Sequence, residues 1–141
     1  MQFEHKLVAV LNKEIETGVA MNALAHMSIG LGAGITHNDN IKTLRLDDYK
    51  DIEGNIYPAI SEIPFIILRA KSNEIRKTVH QARSYNMAHS AFLNTMTIGT
   101  YVEQLARTRN SREEELVYYG CVIFGDWDKV TELTRKFSLW Q

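Results

Sequence analysis

The chain has 141 residues, of which 45% are hydrophobic and 23% charged, and its formal net charge is −1 at pH 7. This length and this balance are typical of a single globular domain with a substantial core. The near-zero net charge excludes a general electrostatic attraction to nucleic acid or to anionic membranes. The single cysteine, Cys121, excludes an internal disulfide.

The first residues and the cysteine count together indicate a location. Residues 1–5 lack the basic segment and the long apolar stretch of a signal peptide, and we find no run of about 18 apolar residues that would cross a membrane. A lone cysteine fits a reducing compartment. We therefore expect a soluble, cytoplasmic protein with no membrane partner.

The first strand and the first helix are expected to form the centre of the fold. Residues 6–11 are almost continuously apolar, which predicts a strand covered on both faces. Residues 18–31 carry apolar side chains at helical spacing, with Thr17 as the expected N-cap and the glycines of 32–34 as the expected end. The helix is rich in small residues and can therefore pack close to a sheet. Its expected buried face consists of Ala20, Leu24, Met27 and Leu31.

The segment after this helix is rich in turn residues. Turns are expected at 37–40 and 51–55. Residues 42–46 and 55–60 are predicted to be the strands of a β-hairpin or meander at an edge of the sheet, and Pro58 is compatible with an edge strand.

The second half of the chain alternates strands and helices. Residues 64–70 predict a core strand, and Ser72 is the expected N-cap of a helix that runs to about Asn86. Residues 87–93 predict a third strand, and residues 98–112 fit either a helix or an ordered loop. The expected buried face of the helix after Ser72 consists of Ile75, Val79, Ala82 and Tyr85.

The last strand and the last helix are the clearest elements of all. Residues 116–124 form the most continuously apolar run, and Asp126 is the expected N-cap of the final helix. The apolar stripe of that helix consists of Val130, Leu133, Thr134 and Phe137.

This order of elements predicts one α/β domain over residues 1–141, a three-layer α/β/α sandwich with a mixed four- to five-stranded sheet and an inserted β-hairpin. The segment between the third strand and the last strand is too short to guarantee a crossover, so an antiparallel pairing of these two strands stays open. The residues expected in the core are Val8, Val10, Ile66, Leu68, Cys121 and Ile123.

Two ends of the chain resemble a known superfamily. One end is residues 6–11 followed by residues 20–25, and the other is residues 119–125 followed by residues 129–135 and the terminal Leu139-Trp140. These segments resemble the peptidyl-tRNA hydrolase II-like superfamily. Within it they most resemble an uncharacterised bacterial family, the domain-of-unknown-function family numbered two thousand. The resemblance implies the fold and supplies no established activity.

The resemblance also allows a comparison of catalytic positions. The hydrolases place a lysine near the start of the first helix and an aspartate after the third strand. In this sequence the lysine position falls at or near Gly18 and the aspartate position near Asn94-Thr95, so neither residue is matched. Lys13 is the nearest lysine, several residues before the helix. We therefore carry over no catalytic residue, and whether the protein is an enzyme stays open.

Two groups of polar residues are candidates for ligand binding. Asn22 and His26 are four residues apart and share a helix face, so that an imidazole and an amide can bind a small polar ligand or move a proton. Asn94, Thr95 and Thr97 end the third strand, where open α/β sheets often bind ligands. The plainer interpretations are a half-buried pair bonded to backbone or water, and a loop-capping cluster.

These candidates predict the place of a site. If a ligand site exists, we expect it where the first helix begins, lined by Asn22, His26 and residues 94–97. An anionic or amide-bearing small molecule is the expected guest.

The remaining reactive residues have simpler explanations. Cys121 lies in an apolar run and is expected to be a core thiol, and the histidines show no metal-ligand spacing. We therefore expect neither a metal nor a cofactor. A basic stripe and an acidic hairpin region can each be a solvated surface, or the two can pair in a homodimer. The stripe consists of Arg76, His80 and Arg83, and the acidic residues are Asp47, Asp48, Asp51 and Glu53.

Three functions remain open on this basis. The first is the binding of a small molecule or peptide in a cleft at the strand ends, and the second is hydrolysis of an RNA-linked ester by a divergent relative of the hydrolases. The third is self-association through the helices and the hairpin. The unmatched lysine and aspartate, together with the near-zero charge, favour the first over the second and argue against a nucleic-acid partner. Nothing in the sequence separates the first from the third.

Overall fold

The computed structural model describes residues 3–37 and 41–141, in which one five-stranded sheet, one separate two-stranded hairpin and four α-helices are present. In chain order these are β1 (His5–Asn12), α1 (Thr17–His37), β2 (Leu46–Lys50), β3 (Ile56–Ser61), β4 (Phe65–Ala70), α2 (Ser72–Ser84), β5 (Ala88–Leu93), α3 (Tyr101–Arg109), β6 (Tyr118–Asp126), α4 (Trp127–Thr134) and β7 (Ser138–Leu139). Short 3₁₀ turns lie at Ile41–Leu44, Asn94–Met96 and Glu113–Glu115.

The main sheet is mixed and has the strand order β5-β6-β1-β4-β7. The central strand β1 runs parallel to β4 and antiparallel to β6. The edge strands β5 and β7 run antiparallel to β6 and β4. The sequence left open whether the third and last predicted strands pair in antiparallel fashion. They do so as β5 and β6.

Each face of the sheet has its own apolar core, because successive side chains of a strand point to opposite faces. Val8 and Val10 of β1 pack on the side of α2 and α4, whereas Leu7, Ala9 and Leu11 pack under α1. The helices therefore cover both faces, which gives the α/β/α layering expected from the sequence. Val8, Val10, Cys121 and Ile123 are fully buried as predicted, and Leu68 is 7% exposed.

The Met27 side chain of helix α1 packs against the sheet at a position that has no room for a side chain. A Cβ atom added to Gly120 of β6 would lie 2.9 Å from the Met27 Cε atom and 3.2 Å from the Val10 carbonyl oxygen. The absence of a side chain at Gly120 and the small buried residues Ala20 and Ala23 of α1 together permit this approach. Of the small residues that were expected to permit close packing, Ala20 and Ala23 are buried against the sheet, whereas Ala25 and Gly30 are exposed.

The structure corrects the predicted ends of two helices. Helix α1 starts with Thr17 as a helical residue and continues through the glycines at 32 and 34 to His37. Buried Leu31 and Ile35 hold this last part on the core, which offsets the cost of about 1 kcal/mol for each helical glycine. In α2 the N-cap position is Lys71, and the Ser72 hydroxyl instead accepts a hydrogen bond of 2.9 Å from the Tyr118 N–H.

Four residues expected on buried faces are not fully buried, among them Leu24 of α1 and Phe137, which lies beyond the end of α4. Tyr85 is 49% exposed, because α2 ends at Ser84 and the chain turns at Asn86, whose φ is +52°. Ile66 is only partly buried, because β7 is two residues long and pairs with Leu68 and Arg69, which leaves the start of β4 at the sheet edge.

The hairpin also differs from its prediction. Its strands lie at Leu46–Lys50 and Ile56–Ser61 rather than at 42–46 and 55–60, and they pair only with each other. The edge beside β4 is occupied by β7, which the sequence did not predict. The turn over 51–55 is confirmed, with the Asp51 carboxylate accepting from the backbone N–H groups of Glu53 and Asn55. Of the turn predicted over 37–40, residues 38–40 lie outside the described residues.

One described helix is long and apolar enough to cross a membrane by length and composition alone. This is α1 over Thr17–Ile35, 19 residues with a mean hydropathy of 1.3. The expectation that no such stretch exists is corrected. A core helix of a soluble protein meets the same criterion, and α1 buries one side against the sheet.

Candidate functional site

A cleft of about 530 Å³ opens between α1, the edge strand β5 and α3. This volume lies within the range of pockets that hold drug-sized ligands. The cleft lies on the α1 side of the sheet, since its floor residues Met27 and Phe92 belong to the core under that helix. The lining residues are Asn22, His26, Met27, Ser90, Ala91, Phe92, Met96, Thr97, Tyr101, Gln104, Leu105 and Thr108.

Aromatic rings form much of the cleft's floor and walls. The Phe92 ring is 7% exposed and lies between two other rings, with centroid distances of 5.9 Å to His26 and 6.4 Å to Tyr119. Tyr101 adds a largely exposed ring from α3. Rings from a helix, a strand and a second helix therefore border one space, an arrangement that offers ring faces and edges to a guest.

Some polar groups of the cleft are already used by the protein itself. The Ser90 hydroxyl donates to the Met27 carbonyl over 2.9 Å and so ties β5 to α1. The Thr97 hydroxyl donates to the Asn94 carbonyl over 2.9 Å. The Thr108 hydroxyl donates to the Gln104 carbonyl and lies 2.7 Å from the Thr95 hydroxyl. These groups shape the cleft more than they offer bonds to a ligand.

Other polar groups are available to a ligand. Within the described residues, the side chains of Asn22 and His26 have no hydrogen-bond partner, and both are exposed. The Gln104 amide donates to the Gly99 carbonyl at 3.3 Å, which leaves its oxygen as an acceptor. Asn22 therefore supplies one donor–acceptor amide, His26 one imidazole and Gln104 one carbonyl oxygen.

Helix α3 forms the outer wall of the cleft, and polar contacts hold it in place. None of its residues is buried. The Thr100 hydroxyl caps it by accepting from the Glu103 N–H, and the Glu103 carboxylate accepts from the Thr100 N–H. The Arg107 guanidinium donates to the carbonyls of Thr95 and Ile98, which fixes the preceding loop against the helix. The wall thus depends on hydrogen bonds rather than on buried apolar area.

The structure brings together three of the five predicted site residues. Asn22, His26 and Thr97 line the cleft. Asn94 instead accepts from the Val117 N–H through its side-chain oxygen at 3.0 Å, and Thr95 is buried and bonded to Thr108. Both of these residues hold the loop that leads to α3, as in the capping interpretation of this cluster.

The sequence missed the residues that α3 and β5 contribute. Ser90 and Phe92 lie within the predicted third strand, and Tyr101, Gln104 and Leu105 lie in the stretch that fits a helix or a loop. The four-residue spacing of Tyr101 and Leu105 was the signal that one face of α3 is apolar. This spacing did not indicate that the apolar face of α3 lies opposite α1.

The lining of the cleft contains no Asp, Glu, Lys or Arg among the described residues. The first turn of α1 at Thr17 is also absent from the lining, which begins five residues later at Asn22. The cleft therefore lies beside the second and third turns of α1 rather than at its free N–H groups.

Two other chemically notable groups lie outside the cleft. Burial raises the pKa of the Cys121 thiol to about 12, so this cysteine is a core residue and not a nucleophile. Glu113 accepts hydrogen bonds from Arg76, His80 and the Tyr118 hydroxyl. In the described part of the chain, no group of three or more His, Cys, Asp or Glu side chains is placed to hold a metal ion.

A solved structure resembles this fold over nearly its whole length. It is a protein of unknown function, Atu0240, from Agrobacterium tumefaciens strain C58, with a TM-score of 0.82 and 17% sequence identity. The match covers 99% of this chain and 100% of that chain. At this identity the likeness shows a common fold and nothing about activity.

The sequence itself matches one family model. No curated protein is significantly similar to the chain. The matching model is described as a protein of unknown function, DUF2000, and it matches residues 5–141. Because this match spans nearly the whole sequence, the chain belongs to the DUF2000 family of proteins of unknown function.

Proposed function

We propose that this protein binds a small molecule in the cleft between α1, β5 and α3. The observation that carries the proposal is a cavity of about 530 Å³ in which Asn22 and His26 have no hydrogen-bond partner among the described residues. Apolar walls with a few unpaired polar groups are the usual composition of a ligand pocket. The residues that would contact the ligand are Asn22, His26 and Thr97, with Phe92, Tyr101 and Gln104.

A fragment screen by ligand-observed NMR tests this proposal. Leu105→Trp adds a bulky ring to the lining, whereas Val102→Trp makes a comparable change on the exposed side of the same helix, outside the lining. We expect fragments that bind the wild type and the Val102→Trp variant but not the Leu105→Trp variant. Fragments that bind all three proteins equally would place the binding site elsewhere and contradict the proposal. If short peptides bind the cleft and no small fragment does, the proposed ligand is a peptide and not a small molecule.

We also propose a specific type for this α/β fold. We assign the sheet and its helices to the peptidyl-tRNA hydrolase II-like type, on the strength of the two resembling ends of the chain. A bacterial origin and a cytoplasmic location go with that assignment. The hydrolase reaction itself is not expected, since Lys13 lies exposed in the turn after β1 and outside the cleft lining.

An assay of peptidyl-tRNA hydrolysis checks this expectation. The purified protein should release tRNA from peptidyl-tRNA no faster than buffer does. Clear turnover that disappears in Lys13→Ala would show that the catalytic lysine had been misplaced and would make the hydrolase the better function.

A second candidate function, self-association, is favoured by the hairpin. Its strands contact each other, and all of their side chains except Ser61 are exposed. The cross-strand register puts Tyr49, Tyr57 and Ile60 on one face, with Asp47 opposite Ile60. A two-stranded hairpin that packs on nothing is at best marginally stable in water, so this face requires a cover.

The cover that we propose is the outer face of α1 in a second copy of the chain. That helix has no charged residue from Thr17 to Ile35 and exposes Met21 and Ile29. With the hairpin face, these side chains offer on the order of 400 Å² of apolar area. A standard interface buries about 800 Å² per partner, of which somewhat more than half is apolar. The exposed area therefore suffices for a symmetric exchange of hairpins.

Sedimentation velocity of charged variants tests this interface. Tyr49→Glu combined with Ile60→Glu should convert a dimer to a monomer, and Ile29→Glu on α1 should do the same. Ile52→Glu at the hairpin turn is the control, because this side chain is 98% exposed and lies outside that face. A wild type that stays monomeric at the highest concentration tested would exclude the dimer.

A further inference from the structure

We propose that the ligand of this cleft is an uncharged, flat ring compound that carries a carboxamide or a similar paired donor and acceptor. The inference rests on the proposed function, because it names the class of molecule that the same cleft would hold. Three features of the lining carry it: the absence of Asp, Glu, Lys and Arg among the described residues, the aromatic rings on three elements, and the free polar atoms of Asn22 and Gln104.

The absence of charge selects against ions. No Asp, Glu, Lys or Arg lines the cleft in the described part of the chain, so no side chain of permanent charge offsets the hydration that a bound ion loses. The N–H groups at the start of α1 do not compensate, since Asn22 lies five residues, or about 7 Å, along the helix from Thr17. The field of a helix end falls off within its first turn. Of the two expected guests, the amide-bearing molecule is therefore favoured over the anion.

The rings select for a flat guest. His26 on α1, Phe92 on β5 and Tyr101 on α3 all border the cleft, and Phe92 is held in place by its contacts with His26 and Tyr119. An aromatic guest gains offset or edge-to-face contacts worth about 1 kcal/mol each beyond its buried area. A saturated ring of the same size gains only the buried area.

The unpaired amides select for a guest with both a donor and an acceptor. Asn22 offers an NH₂ group and a carbonyl oxygen, and Gln104 offers a carbonyl oxygen because its NH₂ group is directed to Gly99. A ligand carboxamide can donate to one of these oxygens and accept from the Asn22 NH₂ group. A carboxylate has no N–H to donate, so it can accept from the Asn22 NH₂ group but makes no hydrogen bond to either of these oxygens.

Titrations followed by protein-observed NMR with four probes of similar size test the proposed class. Benzamide has the proposed chemistry, benzoate has a negative charge, benzyltrimethylammonium has a positive charge, and cyclohexanecarboxamide lacks the flat ring. We expect benzamide to bind most tightly, with benzoate weaker by about tenfold or more, as expected for a lost hydrogen bond together with an unpaired charge. Cyclohexanecarboxamide should be weaker by several fold.

Matched variants show whether Asn22 makes the discrimination. Asn22→Ala should remove most of the preference for benzamide over benzoate, whereas Asn73→Ala, an exposed asparagine on α2, should leave it unchanged. Gln104→Glu should weaken benzoate further and strengthen the ammonium probe, because it puts a negative charge in the lining.

The outcomes separate this inference from the proposed function. Equal or tighter binding of benzoate, of the ammonium probe or of cyclohexanecarboxamide would overturn the ligand class, and the cleft would stand as the binding site. If none of the four probes binds, but other fragments bind the wild type and not the Leu105→Trp variant, the proposed ligand class is again wrong. If no fragment of any chemistry binds the cleft, the proposed function fails together with this inference.

Discussion

At the scale of single residues, Glu113 shows how the fold shifts the pKa of one carboxyl group. Its desolvation raises the pKa, but hydrogen bonds from His80 and Arg76, together with the nearby positive charge of Arg76, outweigh this and bring the pKa of Glu113 below its ordinary value. A lowered carboxyl pKa stabilises the folded state at pH values above the unfolded pKa. That contribution is lost as the pH falls through the folded pKa.

Replacing this carboxyl group should change the pH dependence of stability. Glu113→Gln should be less stable than the wild type at pH 7, and it should lose less stability as the pH falls below the ordinary carboxyl pKa and through the lowered pKa at which the folded wild type protonates Glu113. Glu114→Gln is the control, because its carboxylate is far more exposed and has only Arg112 at 3.9 Å. Urea denaturation at several pH values measures the effect. A pH profile of Glu113→Gln parallel to that of the wild type would contradict the assignment.

Ile123 tests the predicted core directly. Its side chain is fully buried on β6, so Ile123→Asp places an unpaired charge between the sheet and the helices. We expect the free energy of unfolding to fall by about 4 kcal/mol or more, enough to unfold the protein. Ile52→Asp, at an almost fully exposed position, should change it by less than about 0.5 kcal/mol. A folded Ile123→Asp variant of nearly normal thermal stability would refute the assigned core.

Single residues also show what the sequence could and could not predict about the site. Asn22 and His26 were found because residues four apart share a helix face, and that rule is local. Asn94 and Thr95 were candidates because they are short polar side chains at a strand end. For the same reason they bond to groups of the protein itself and do not line the cleft. Their partners, Val117 and Thr108, lie 23 and 13 residues away, and no local pattern identifies them.

At the scale of elements, strands with a continuous apolar sequence were predicted correctly. The prediction erred for strands whose position is determined by the strand they pair with. β1 and β6 are apolar on both faces and were found within two residues of their bounds. β7 is two residues long and exists because β4 offers it an edge, which no sequence pattern of its own reveals. The hairpin strands shifted by several residues because register is decided by cross-strand pairing and by the bulge between Asp47 and Tyr49.

Helix α3 is the element whose stability bears most on the site. The sequence left residues 98–112 as a helix or a loop because none of them is buried in α3, so packing supplies no clear period. An element with few buried contacts opens at low free energy. We therefore expect the amides of 100–110 to exchange with solvent much sooner than those of β6.

Hydrogen exchange of one variant tests how α3 is held. Thr108→Val removes the hydroxyl that lies between Thr95 and the Gln104 carbonyl, and it should speed exchange across 100–110 with little effect on β6. Val102→Ala, on the exposed side of the helix, is the matched control and should leave the exchange pattern nearly unchanged. Rapid exchange in β6 of Thr108→Val would mean that α3 is part of the cooperative core.

At the scale of the whole molecule, the layering follows from the alternation of strands and helices along the chain. The cleft depends instead on the relative positions of α1 and α3 in the folded protein. The mixed sheet and the two cores were predictable because each element carries its own hydrophobic pattern. The cleft needs α1, β5 and α3 together, residues about 80 positions apart, so its shape and its lack of charge appear only in the folded chain.

Chemical-shift mapping of benzamide on the ¹⁵N-labelled protein shows whether this cleft is the ligand site. We expect the largest shifts at Asn22 and His26 on α1, Ser90 on β5 and Gln104 on α3, and their disappearance in Leu105→Trp but not in Val102→Trp. The largest shifts on the hairpin or on α2, or no shifts with benzamide or with any fragment of the screen, would contradict the assignment of the cleft as the ligand site.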